Sequence, residues 1–138
     1  MPGKNLTIGG GGIHHVALRV RDLEKSLRFY CEALGFVEKV RWNDAPKRIV
    51  LLDTGDGSYL ELFEGGTKAF SNEDAFWHLA LRTTNADAAI EKARAAGCEV
   101  WVEPKTLANL GNSGADVRLA FFKGPDGELV EFFQSDKI

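Results

Sequence analysis

Two histidines and two glutamates, His15, His78, Glu61 and Glu131, are side chains of the kinds that hold a divalent cation and move a proton. Their setting repeats. His15-Val16-Ala17-Leu18-Arg19 returns as His78-Leu79-Ala80-Leu81-Arg82, and in both copies an Asp or Asn (Asp22, Asn85) follows shortly after the Arg. Asp56-Gly57-Ser58-Tyr59-Leu60-Glu61-Leu62-Phe63 likewise matches Asp126-Gly127-Glu128-Leu129-Val130-Glu131-Phe132-Phe133. Each half therefore supplies one imidazole and one carboxylate from equivalent places.

Alternation along a strand puts His15 on one face with Ala17 and Arg19, and His78 with Ala80 and Arg82. Glu61 shares its face with Tyr59 and Phe63, and Glu131 with Leu129 and Phe133. A carboxylate among such apolar neighbours is costly when ionised and unpaired, and one divalent cation offsets that cost for two Glu at once. Two imidazoles with two carboxylates suit Ni, Zn, Mn, Co or Fe in a site open to water. A strand histidine taken alone is more often a hydrogen-bonded core residue, and Glu61 and Glu131 could instead pair with Arg19 and Arg82. The repeat favours the metal reading. His14 falls on the opposite parity from His15 and is left out of the site.

The positioning elements follow from pattern. Ile13 to Val20 is apolar on both parities apart from its His and Arg, and reads as a buried strand. Asp22 caps a helix whose Leu23, Leu27, Tyr30 and Leu34 share a face, and Gly35 stops it. Phe36 to Trp42, Arg48 to Asp53 and Ser58 to Phe63 read as strands, with turns at 43–47 and 54–57. Phe76 to Thr83 restarts the pattern, Asn85 caps an Ala-rich helix ended by Gly97, and strands follow at 98–102, 117–123 and 128–134. Pro104 to Asp116 is expected as a long loop.

The expected fold is α+β: two βαβββ modules in tandem, forming curved mixed sheets around a metal-binding cleft. The expected division is a flexible tail at 1–12, a first module at 13–64, a linker at 65–75 and a second module at 76–138. The modules bring the two His and two Glu together either within one chain or by exchange with a second copy, and a homodimer is expected.

The totals set bounds. The 138 residues, 44% hydrophobic and 27% charged, suit a globular domain. A net charge of −3 and a pI near 5.6 give no electrostatic case for nucleic acid or an anionic membrane. No apolar run approaches membrane-spanning length. Cys31 and Cys98 read as reduced thiols, and a cytoplasmic location is expected.

The motifs His15 to Ser26 running to Phe29-Tyr30 and Leu34-Gly35-Phe36, then Leu60-Glu61-Leu62, His78-Leu79-Ala80-Leu81 and Pro125-Asp126-Gly127 before Val130-Glu131, resemble the vicinal oxygen chelate superfamily. That group includes glyoxalase I, methylmalonyl-CoA epimerase, extradiol dioxygenases, fosfomycin-resistance thiol transferases and bleomycin-binding proteins. The His/Glu/His/Glu set is similar to that of bacterial glyoxalase I (lactoylglutathione lyase). The resemblance implies a metal-dependent lyase that converts a 2-oxoaldehyde–thiol hemithioacetal to a 2-hydroxyacyl thioester. His15, Glu61, His78 and Glu131 would then be ligands, and Glu131 and Glu61 the catalytic carboxylates. Arg19, Arg82 and Arg118 would hold an anionic end of a small-molecule substrate, with Arg19 where glyoxalase I holds an arginine for a glutathione carboxylate. Trp42, Trp77 and Phe121 are candidates to line the pocket. Glyoxalase I carries an Asn four residues after its second ligand, and here that place is Gly65. The alternatives are another metal-dependent branch, an epimerase or dioxygenase, or a metal-free binding or resistance protein.

Overall fold

Apolar alternation and turn residues build two matching sheets. The computed structural model describes residues 5–43 and 46–138. β1 (His15–Val20), α1 (Leu23–Leu27), β2 (Val37–Trp42), β3 (Ile49–Asp53) and β4 (Tyr59–Glu64) form the first unit. β5 (His78–Arg82), α2 (Ala86–Ala95), β6 (Glu99–Leu107), β7 (Val117–Lys123) and β8 (Leu129–Gln134) form the second. The strand orders are β1-β4-β3-β2 and β5-β8-β7-β6. The β1–β4 and β5–β8 pairs are parallel and the other pairs antiparallel. The architecture is α+β, with two four-stranded mixed sheets in tandem βαβββ order.

Both helices begin as their sequences predict. Asp22 accepts a hydrogen bond from the Lys25 N–H at 3.1 Å, and Asn85 accepts from the Ala88 N–H at 3.0 Å. α1 is short, and the chain runs on through Arg28–Ala33 as wider π-helical turns. Gly35, at a φ of 76°, closes that end with its N–H on the Cys31 carbonyl.

The two units share one core on the helix side of both sheets. Leu18, Leu23, Tyr30, Val50, Leu60 and Leu62 of the first unit pack in one cluster with Ile90, Ala93, Phe122, Val130 and Phe132 of the second. Phe29 meets Phe122 edge-on at 5.6 Å. Buried polar groups in this junction are satisfied. Asp126 accepts from the Arg21 N–H and Nε, each at 2.9 Å, and from Ser26 Oγ at 3.4 Å. Glu128 accepts from Tyr30 Oη at 2.7 Å and from the Asp126 N–H at 2.8 Å. Its side chain lies against the bare Cα of Gly124, where any Cβ would collide with it.

Three expectations are corrected. β1 is buried on one face only: Leu18 and Val20 point into the core, while His15, Ala17 and Arg19 face outward and are exposed. β6 runs through Pro104 to Leu107, because it is an edge strand and the ladder shifts register between Val102 and Lys105, where proline's missing N–H is not needed. The expected long loop is therefore confined to 108–116, with a short 3₁₀ turn at Leu110–Asn112. Residues 1–4 of the expected tail and residues 44 and 45 of the expected 43–47 turn lie outside the described residues. Residues 5–10 close a local turn through an Asn5–Gly10 bridge, with Leu6 and Ile8 exposed.

Burial pushes the Glu128 carboxyl above its ordinary value, and the Tyr30 hydroxyl pulls it back. A carboxyl whose folded pKa is raised favours the fold fully below its unfolded value and loses that contribution as pH rises through its folded one. Tyr30→Phe removes a donor to the ionised form. At pH 7 it is expected to lower stability by about 1.5–3 kcal/mol, with the deficit shrinking on acidification. Urea unfolding of both proteins across pH 4–8 measures this.

Candidate metal centre

Strand register places each imidazole beside its own carboxylate. In the parallel β1–β4 pair His15 lies opposite Tyr59 and Ala17 opposite Glu61. In β5–β8 His78 lies opposite Leu129 and Ala80 opposite Glu131. His and Glu are thus diagonal neighbours on one face, within reach of long side chains. His15 Nε2 is 3.7 Å from Glu61 Oε1, and His78 Nε2 is 3.1 Å from Glu131 Oε2. Neither Glu61 with Arg19 nor Glu131 with Arg82 forms an ion pair among the described residues.

These donors fit a cation. Nitrogen and oxygen donors each about 2.1 Å from one ion lie about 3 Å apart at a right angle and about 3.4 Å apart at a tetrahedral one. The second pair meets that spacing as it stands, and the first needs only slight closure. Glu131 is buried, and desolvation pushes its carboxyl above the ordinary value against the pull of His78. The four residues do not converge within one chain, however. No group of three or more His, Cys, Asp or Glu is close enough to share an ion among the described residues. The reason is the shared helix-side core, which turns the two His/Glu faces away from each other.

The arginines separate. Arg19 stands exposed on the His15 face of β1. Arg82 has a largely exposed side chain, with its Nη1 3.8 Å from Asp56 of the β3–β4 turn. Arg118 sits on the other face of its strand, because Phe121, three residues on, opposes Glu131. It grips Asp87 at the start of α2 with two guanidinium nitrogens and reaches Thr106 Oγ1 at 3.1 Å. It is a tie between helix and sheet, removed from both His/Glu pairs.

Strand parity fails at one kind of place. The residue before each histidine precedes the ladder, and its ring folds back onto the imidazole. Trp77 meets the His78 ring at 4.7 Å, and Phe121 meets it at 5.3 Å from another side. His14 Nδ1 lies 2.9 Å from His15 Nδ1, so the excluded histidine touches the site after all. The signal available in sequence was the unbroken His14-His15 pair ahead of the first strand. Trp42 lies opposite Ile49 on the first cleft-facing surface. Trp42, Phe76, Trp77 and Trp101 are 40%, 52%, 50% and 41% exposed, a large aromatic complement for surface positions. A cavity of about 830 Å³ lies on the helix side, between Lys25, Phe29, Lys92 and Cys98, and none of the four candidate ligands lines it.

The sequence profile described as the Glyoxalase/Bleomycin resistance protein/Dioxygenase superfamily matches residues 12–132. A Vibrio parahaemolyticus protein named probable lactoylglutathione lyase is 30% identical over 135 residues, covering 93% of this chain and 94% of its own. The Bacillus subtilis protein YwbC, named as uncharacterized, is 32% identical over 126 residues, covering 88% and 96%. The crystal structure of a glyoxylase/bleomycin resistance protein/dioxygenase domain from a Frankia species superposes with a TM-score of 0.76 at 25% identity, covering 91% of this chain and 98% of that one.

With the two pairs as ligands, protein purified without chelator is expected to carry Ni, Zn, Mn, Co or Fe. His15→Ala and Glu61→Gln should each lose that metal, while Arg118→Gln keeps it. Elemental analysis decides, and full metal in both of the first two variants rules out this ligand set.

Proposed function

The chain belongs to the Glyoxalase/Bleomycin resistance protein/Dioxygenase superfamily, and from that membership we propose a metal-dependent, glyoxalase I-like isomerase of 2-oxoaldehyde–thiol hemithioacetals. The observation that carries this reading is the repeated His/Glu pair, set by equivalent registers on the face of each sheet away from the helices. The names of the bacterial lactoylglutathione lyases that resemble the chain support the same chemistry.

Each pair is half of a site, and a second copy of the chain supplies the other half. His15 and Glu61 of one subunit join the partner's His78 and Glu131. The first face is open in the single chain and the second is walled by its own apolar cluster, and both carry exposed aromatic rings that a self-complementary twofold interface would cover. A divalent cation held by these four residues would supply a Lewis acid that stabilises negative charge developing on the substrate. Glu131 takes the proton from the substrate carbon and returns it to the adjacent carbon, so the net change is an isomerisation. Desolvation raises its carboxyl above the ordinary value, which strengthens it as a base. Glu61 stands opposite, and Arg19, on the same face as His15, holds an anionic end of the thiol.

The thiol-binding end of the cleft has its own shape. Gly65 has a φ of 94°, and a Cβ there would come within 2.8 Å of the Lys47 stem. Lys47 fills space that a side chain at 65 would need, so the preferred thiol is best found by survey. Methylglyoxal assayed with several thiols should give turnover with at least one, and Glu131→Gln should lower kcat by about 10²–10⁴. Inactivity with every thiol rejects this substrate class.

Shared sites make a further prediction. His15→Ala and His78→Ala are each inactive alone. A mixture allowed to exchange subunits should regain about a quarter of wild-type sites, because half of the dimers are mixed and each holds one intact site. A site built within one chain regains none.

A further inference from the structure

We propose that His14 is a positioning residue for His15, accepting the His15 Nδ1–H on its own Nδ1 and so fixing the tautomer whose Nε2 is free to bind a cation. This rests on the metal reading above. Two neutral imidazoles joined through Nδ1 at 2.9 Å must divide their roles, one donating and the other accepting. If His14 donates, His15 carries its proton on Nε2, facing Glu61, and cannot be a ligand. If His15 donates, its Nε2 lone pair faces the Glu61 carboxylate side of the cleft. Cation binding selects the second arrangement, and the hydrogen bond holds the ring in it.

His14 is itself held. Its carbonyl accepts from the Tyr59 N–H at 2.9 Å, and its ring rests 5.0 Å from the Tyr59 ring. Tyr59 is the register partner of His15 on the strand that carries Glu61. One strand therefore positions the carboxylate, the imidazole and the imidazole's support. The second half shows the alternative. There the equivalent place is Trp77, the His78 Nδ1 is buried with no partner among the described residues, and the ring is fixed between Trp77 and Phe121. The side chain of His15 is 43% exposed against 26% for His78, so His15 lacks packing walls and its orientation depends on the hydrogen bond.

Co(II) titration of the full chain tests this, read by affinity and by the visible spectrum of the bound ion. His14→Phe keeps a ring against Tyr59 and removes the acceptor. His14→Asn keeps an acceptor, since its Oδ1 is the same number of bonds from the backbone as Nδ1. We expect His14→Phe to bind Co(II) about 10–100-fold more weakly with an altered spectrum. His14→Asn should return towards wild type in both, and thermal unfolding should be unchanged throughout. Equal binding by wild type and His14→Phe overturns the role of His14 while leaving the metal site standing. Equal weakness of the two variants also overturns it, by assigning the effect to ring shape. Failure of wild type to bind Co(II), or undiminished binding by His15→Ala, overturns both readings.

Discussion

The helix-side core that joins the two units decides what every other surface can do. A sheet has two faces, and in this chain both sheets spend one face on the same cluster, around Phe29, Tyr30, Phe122 and Val130. The opposite faces carry His15, Glu61, His78 and Glu131 and are left without a common partner. Had the units met through those faces instead, this cluster would have been split in two and Phe29 parted from Phe122. Burying apolar side chains is worth about 1.5–3 kcal/mol each, so that arrangement is strongly disfavoured for a single chain. The same force that stabilises the fold therefore keeps the candidate ligands in separate pairs.

Carboxylates on the two sides of the sheets are treated differently. On the inner side Asp126 and Glu128 between them collect hydrogen bonds from the Arg21 main and side chains, Ser26, Tyr30 and the Asp126 main chain. They are costly groups fully matched to donors, as a junction between two units requires. On the outer side Glu131 is also buried, though less deeply, and faces a single imidazole across 3.1 Å among Leu129, Phe121 and Phe133. A buried acid with so few donors is under-satisfied for a structural role and suited to one that exchanges a proton or meets a cation.

Period and punctuation made the fold legible. The repeated strand motifs, the Asp22 and Asn85 caps and the Gly35 and Gly97 stops each mark a local event whose physics is contained in a few residues. That each half supplies one His and one Glu on a strand was legible for the same reason, whereas their diagonal pairing rests on the register of the parallel strands, which alternation leaves open. Three further features were not legible. Pro104 reads as a breaker until β6 is known to be an edge. Arg118 reads as a substrate cation until its strand's facing is fixed by Phe121 against Glu131. His14 reads as pointing away because parity presupposes a ladder, and the ladder begins one residue later. Each depends on what lies across the sheet or at its end, which local pattern does not encode.

Duplication gave two copies of one frame, and the side chains then diverged within it. The second face is filled by its own residues: Val117, Leu119, Phe121 and Leu129 form a buried cluster closed over by Leu107 and Leu110. The first face has no such cover among the described residues, and its Tyr59, Glu61 and Phe63 remain half-buried beside an exposed Arg19. One pair is accordingly tight and walled, the other wide and open. In the shared site proposed above, a cation would meet a pre-set imidazole and carboxylate on one side and an adjustable pair on the other. The walls of the second face desolvate Glu131 and raise its carboxyl above the ordinary value. Under the proposed function, a carboxylate so set would be the one to take a proton from one carbon and release it to the next.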